Sequence, residues 1–300
     1  AIFIFKSNQQ LFFMKQTESS SADDEGEPAN AANYLPHFFL SILFCSCTLN
    51  STNNELPMAI TPVVQAMPAP EKEAPPLPKK KKKIYITFDD GPNKGTRQVL
   101  RVINEEQVPV SFFVVGEHVY GSNEQQATWD SLQQSEWVEI CNHSYTHAHN
   151  RFSKFYSNDT AVVADFKRTD DSLQLNNNIA RTPGRNIWRT ATVNATDIAK
   201  SKAAADSLYN AGFVVVGWDI EWHFNDSLKL KQSSDELIKQ VDSAFFHNRT
   251  KTPDHMVLLT HDQAFADSTD VASLRHFIQH IKTKSDYQIE FVSRYPGLKQ

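Results

Sequence analysis

The sequence predicts an α/β fold, a parallel sheet or barrel covered by helices, and three observations point there. After Lys83, short apolar runs alternate with longer amphipathic stretches, the pattern of strands threaded between helices. The segment from Ile84 to Gln300, about 217 residues, is near the lower end of what an α/β barrel needs, so a distorted or incomplete barrel is expected in place of eight full units. Polar clusters follow several of the apolar runs, and in a parallel barrel those strand ends share one face, where reactive groups collect.

Taken in order, the apolar runs Ile84 to Phe88, Val110 to Val115, Val138 to Cys141, Phe213 to Trp218, Met256 to Thr260 and Gln288 to Val292 read as strands. Between them, helices are expected near Lys94 to Glu106, Asn123 to Ser135, Asp159 to Leu175, Ala195 to Ala211, Ser234 to Phe246 and Val271 to Lys282. Asn123, Asp159 and Ser234 are residue types that cap helix starts. No internal repeat is evident.

The 300 residues are 40% hydrophobic and 22% charged, an ordinary balance for a soluble protein with a sizeable core. A net charge of −5 provides no overall field favouring nucleic acid, and none is expected as a partner. Residues 1–50 read as a disordered N-terminal region containing an apolar stretch, Leu35 to Cys47, about as long as the core of a signal peptide. Met14 followed by Lys15 is one internal start. Cys47 after this stretch resembles a relaxed bacterial lipobox, which predicts an exported, lipid-anchored protein of the cell envelope or periplasm; a buried apolar patch or a plain cleaved signal is the alternative. Residues 51–83 read as a tether, because prolines from Pro57 to Pro78 forbid continuous helix or sheet. Lys79 to Lys83 form a solvated end to that tether, or a contact for anionic lipid or wall polymer. Three cysteines make no disulfide framework, and Cys141 reads as a small core hydrophobe.

The polar clusters carry chemistry. Asp89 and Asp90 follow the first strand, His143 and His147 the third, Asp219 and Glu221 the fourth, and His261 with Asp262 the fifth. Two histidines four apart, on one side of a short helix or helical loop, can grip one ion. Asp90 would complete a two-His, one-carboxylate set with positions left for water and substrate. Such an ion lowers the pKa of bound water and polarises a carbonyl oxygen, which is the chemistry of hydrolysis.

The motifs Thr87-Phe-Asp-Asp-Gly-Pro92, His143-Ser-Tyr-Thr-His147, Arg181-Thr-Pro-Gly184 and Leu259-Thr-His261 together resemble, in order, those of the NodB-type polysaccharide deacetylases, carbohydrate esterase family four. The likeness covers about residues 84–300 and leaves the N-terminal third outside. It implies a distorted (β/α) barrel, with Asp89 as general base and Asp90, His143 and His147 as ligands to zinc, cobalt or another divalent ion. It also implies His261 as the general acid, Arg181 orienting the base, and the Gly184 N–H as an oxyanion donor. The implied substrate is an acetylated glycan, peptidoglycan or chitin-like, deacetylated at N-acetylglucosamine. The same machinery would also serve an O-acetyl esterase of the xylan type, and a glycan-binding module without turnover is the non-enzymatic alternative.

Two departures from the family pattern stand out. Trp218-Asp-Ile-Glu-Trp222 aligns in two registers, so either Asp219 or Glu221 is expected to be the carboxylate that keeps His261 protonated. Asp219 is favoured slightly. Trp222 is expected either beside the acetyl methyl or a sugar ring, or in the barrel core. Gly184 replaces an aromatic residue, which is expected to widen the cleft. Asp262 either caps the next segment or orients a loop. Arg185 and Arg189 are further candidates for substrate contact, and the loops at 146–158 and 223–234 are expected to shape the cleft.

Overall fold

The computed structural model describes residues 80–298, within the unit from Pro78 to Gln300. Cys47, its apolar stretch and the tether up to residue 79 lie outside the described residues. Strand β1 (Lys82–Asp89) begins inside the segment read as tether: Lys82 and Lys83 pair in parallel with Tyr287 and Gln288 of β10 (Tyr287–Ile289). The end of the basic run is therefore part of the sheet.

The alternation of β1 places the site. Ile84, Ile86 and Phe88 join the core beneath the outer helices, while Tyr85 joins a second core on the concave side. By the two-residue period, Thr87 and Asp89 continue the row of Tyr85, and both are buried. Strands β2 (Val110–Val114) and β9 (His255–His261) flank β1 in parallel, and β3 (Val138–Asn142) follows β2. Burial on both faces explains why these strands read as continuous apolar runs.

The outer layer holds α1 (Thr96–Glu106), α3 (Asn123–Gln133), α7 (Ser234–Phe246) and α8 (Ser268–Thr283), all contributing to the larger core. The short α2 (Gly116–Val119) follows β2. After α4 (Phe152–Phe155), helix α5 (Asp159–Leu173) is capped by Asn158, and it packs with α6 (Lys202–Asn210) through Val162, Phe166, Ala204 and Leu208. Ser233 opens α7 with a reciprocal capping box to Glu236.

Five shorter strands complete the sheet: β4 (Ile179–Ala180), β5 (Ile187–Arg189), β6 (Asn194–Thr196), β7 (Val214–Val215) and β8 (Ile220–Glu221). The order is β6-β5-β7-β4-β3-β2-β1-β9-β8 with β10 beside β1, and among the strand pairs of the described residues only those of β5 are antiparallel. Since β6 and β8 end the order, the curled sheet does not close, as an incomplete barrel requires. Three expected elements are shorter. Ala195 belongs to the β5–β6 hairpin and not to a helix; the strand from Phe213 shrinks to Val214–Val215; and the last strand gives way to a turn at Val292–Arg294. No helix among the described residues is long and apolar enough to cross a membrane.

Candidate active site

The ladder of parallel strands delivers the polar motifs to one end of the sheet. Val115 N–H donates to Gly91 O, His143 N–H to Val114 O, Arg181 N–H to Asn142 O and Val216 N–H to Ala180 O, so each motif is one step along from the last. Asp89 lies directly opposite His261 in the β1–β9 register.

Arg181 is fully buried and organises the inner wall. Its Nη1 donates to Asp89 Oδ1 at 2.8 Å and Thr87 Oγ1 at 2.7 Å, its Nη2 to Gly217 O at 2.9 Å, and its Nε to Val216 O at 3.0 Å. The guanidinium carbon lies 4.0 Å from the Phe113 ring centroid. Four of the five N–H groups of this buried cation thereby have acceptors, and the Asp89 carboxylate is pinned by one oxygen. The other oxygen, Oδ2, faces His143 Nε2 at 3.6 Å.

His143 Nδ1 lies 2.9 Å from Arg181 O. A carbonyl only accepts, so Nδ1 carries the proton and Nε2 presents a lone pair. His143 Nε2 lies 3.4 Å from Asp90 Oδ1, and His147 Nε2 lies 3.1 Å from the same oxygen. Asp90 Oδ1 is buried without a hydrogen-bond partner among the described residues. One ligand atom from each of Asp90, His143 and His147 lies within 4.8 Å of the others. An orphaned carboxylate oxygen between two imidazole nitrogens is a donor set that fits a divalent cation. Burial opposes charge on Asp90, but the effects that outweigh it, led by the neighbouring charge of His147, hold the carboxyl well below the usual range. Burial likewise opposes charge on His147, and Asp90 reverses the direction, raising its pKa.

The histidine pair is not helical. Ser144 has φ 65° and His147 φ 48°, and left-handed backbone continues through Asn150. The turn is held from outside: Asp165 accepts from the N–H groups of Tyr145 and Thr146 at 3.1 Å each, and Asn142 Oδ1 accepts from Ser144 N–H at 2.8 Å. His118 on α2 lies with Nδ1 2.7 Å from Asp90 O and fixes the backbone of the carboxylate. Asp165 and His118 were not legible as site residues, because nothing local marks a helix-face acid or a lone histidine as a brace.

The acid side departs from expectation. His261 Nδ1 is buried with no hydrogen-bond partner among the described residues, and the ring stands edge-on to Phe224 at 5.1 Å. Neither proposed carboxylate reaches it. Asp219 accepts from Lys251 N–H at 2.6 Å and Val257 N–H at 2.8 Å, near the opposite end of β9. Burial pushes its pKa up to about 6 against the pull of those two donors. Glu221 lies 3.2 Å from His223 Nδ1. The two diverge because β8 is only two residues long and no regular strand carries them to one side. Trp222 is also not a cleft wall: it is fully buried against Phe265 and Phe277, with its Nε1–H on Gln232 O.

Gly184 has φ 61°, a conformation that favours glycine, and its N–H meets no acceptor among the described residues. A Cβ built there would lie 2.9 Å from the Phe152 ring, so an aromatic from α4 fills the space the missing side chain was expected to open. Asp262 orients a loop: it accepts from Asn93 Nδ2 and Thr96 Oγ1 in the turn after β1. Burial pushes its pKa up to about 7 against those donors. Arg189 is buried in an ion pair with Asp206 at 2.7 Å, apart from the motif residues, while Arg185 lies over Phe152. Burial raises the Cys141 thiol, as a core residue.

Comparison with known proteins gives a consistent result. Residues 77–205 match the family model described as polysaccharide deacetylase. A peptidoglycan-N-acetylglucosamine deacetylase of Bacillus cereus is 26% identical over 215 residues, covering 71% of this chain and 70% of the relative. A chitooligosaccharide deacetylase of Rhizobium leguminosarum bv. trifolii is 30% identical over 144 residues, 46% of this chain and 57% of its own length. Among solved structures, the catalytic domain of a peptidoglycan N-acetylglucosamine deacetylase from Eubacterium rectale superposes with a TM-score of 0.52 at 20% identity. That match covers 73% of this chain and 91% of the other, and at this identity it speaks for the fold alone.

Proposed function

We propose that this chain, an enzyme of the polysaccharide deacetylase family, hydrolyses the N-acetyl groups of N-acetylglucosamine units in a peptidoglycan- or chitin-like polymer, releasing acetate and leaving a free amine. The observation that carries the reading is the convergence of Asp89, Asp90, His143, His147 and Arg181 from separate strand ends into one buried cluster. Asp90, His143 and His147 would hold a divalent cation, zinc in the first instance. When bound, the ion polarises the acetyl carbonyl and makes its water more acidic.

The remaining chemistry belongs to the chain. Arg181 engages Asp89 Oδ1 and leaves Oδ2 toward the ligand cluster, where it takes the proton of the attacking water. The Arg181 carbonyl holds the His143 tautomer, so one residue orients both the base and a ligand. The Gly184 N–H is available to the developing oxyanion. His261, opposite Asp89 in register, gives its proton to the departing amine nitrogen. With Nδ1 buried under no partner, Nε2 is its exchange atom.

A panel of N-acetyl and O-acetyl glycans tests the reading. The full chain loaded with zinc should release acetate from N-acetylglucosamine oligomers, a chelator should abolish the release, and Asp89→Asn should remove turnover while keeping bound metal. Metal-loaded, folded protein releasing acetate only from O-acetyl sugars would replace the substrate with a xylan-type ester. The matching location is the cell envelope, with Cys47 as a lipid anchor; detergent extraction that is lost in Cys47→Ser tests it.

A further inference from the structure

Beside the ligand cluster is a hollow of about 410 Å³ lined by Asn150, Arg151, Phe152, Ser153, Lys154 and Arg185. It adjoins the reacting centre on two sides: the Phe152 ring stands edge-on to His147 at 5.7 Å and lies against Gly184. The Arg185 guanidinium is held in place, with Nη1 donating to Gly184 O at 2.7 Å and Nε to Ser201 Oγ at 3.3 Å, and its carbon is 5.7 Å from the Phe152 ring centroid. Arg151, Lys154 and Arg185 make no ion pair among the described residues. The nearby carboxylates are otherwise engaged: Asp197 accepts from the N–H groups of Asn186 and Ile198, and Glu117 lies 3.6 Å from His149. Three cations lining one hollow, none of them in an ion pair among the described residues, are a local feature in a chain whose net charge is −5.

We propose that this hollow is a subsite for an anionic substituent, carboxylate or phosphate, on a sugar neighbouring the one deacetylated, whose ring packs on Phe152. An aromatic face takes the apolar side of a sugar ring, and the cations lining the hollow select the charged group. The inference rests on the deacetylase reading of the adjoining site and narrows its substrate to acidic glycans. Exposed cations are individually weak, and three together should provide a preference of about tenfold that salt erodes.

Three N-acetylglucosamine oligomers of equal length test it: one neutral, one with carboxylate ethers on alternate sugars, one with phosphate esters there. Binding to the full chain carrying Asp89→Asn is measured beside acetate release by the zinc-loaded parent. The anionic oligomers should bind about tenfold tighter and show the same advantage in kcat/KM at low salt, with parity near 0.5 M salt. Arg151→Gln with Lys154→Gln should bring the ratio close to one. Preference for only one anionic oligomer identifies the group. Equal binding and turnover of all three, unchanged in the double variant, overturns the subsite and leaves the deacetylase reading standing. Preferential binding without acetate from any oligomer sinks the deacetylase reading and keeps the anion site.

Discussion

Asp219→Asn should alter how stability depends on pH while leaving turnover nearly intact. The carboxylate is half-buried and accepts from two backbone donors, and burial pushes its pKa up to about 6. An unfolded Asp titrates near 4, so the fold favours the protonated form. That contribution is fully present below about pH 4 and is lost as pH rises through about 6. About two pH units at about 1.4 kcal/mol each amount to about 3 kcal/mol, reduced toward 2 kcal/mol by partial solvent access. Asn carries no such charge. The unfolding free energy of the variant relative to the parent should therefore rise by about 2–3 kcal/mol between pH 4 and pH 8, whatever the offset at either end. Denaturant titrations across that range measure it. In the same preparations kcat/KM should stay within about threefold, because His261 is four residues beyond Val257, roughly 13 Å along β9. A loss beyond about a hundredfold, with the upper limb of the pH–rate profile displaced in folded protein, would refute the reasoning and return Asp219 to the role of partner for His261.

Arg181→Lys keeps the charge but not the fork, so at least one of Val216 O, Gly217 O, Thr87 Oγ1 and Asp89 Oδ1 loses its donor. We expect about 2–4 kcal/mol less stability by denaturant titration, and kcat falling more than about a hundredfold while metal content is retained. Gly184→Ala should cost about 1–2 kcal/mol for its left-handed backbone, plus the displacement of Phe152. A cycle with Phe152→Ala should recover only the second part; full recovery would show that backbone strain is negligible there. Asp165→Ala leaves three donors of the histidine turn without their acceptor, and zinc affinity should drop at least tenfold by competition with a chelating dye.

The parts of the fold that were legible are those where one physical effect dominates. Val110–Val114 and His255–His261 are buried on both faces, so their apolar runs needed no context. Strands β4, β7 and β8 are two residues each, too short for any period to register. Ala195 carries no local sign that it pairs with Trp188. The candidate cluster of Asp90, His143 and His147 was readable because carboxylates and histidines at strand ends are chemically distinctive. The role of Asp219 was not, since its partners are the backbone N–H groups of Lys251 and Val257, which no side-chain pattern encodes. Spacing suggested helix for His143 and His147, where a braced run of left-handed residues was selected instead.

The pairing of Asp89 with His261 has a consequence in time. The two strands that carry them are far apart in sequence, with Thr87 donating to Leu258 across 171 residues. A chain emerging at 5–20 residues per second would expose β1 for roughly 10–35 s before β9 is available to flank it. During that interval the β9 side of a strand buried from Ile84 to Asp89 is an unpaired apolar edge, the kind that recruits other chains. Lys82 and Lys83 at its start, with the lysines that precede them, put like charge where two such edges would first meet. Neutralising them should leave the finished enzyme's chemistry alone and show itself in the yield of refolding at high concentration.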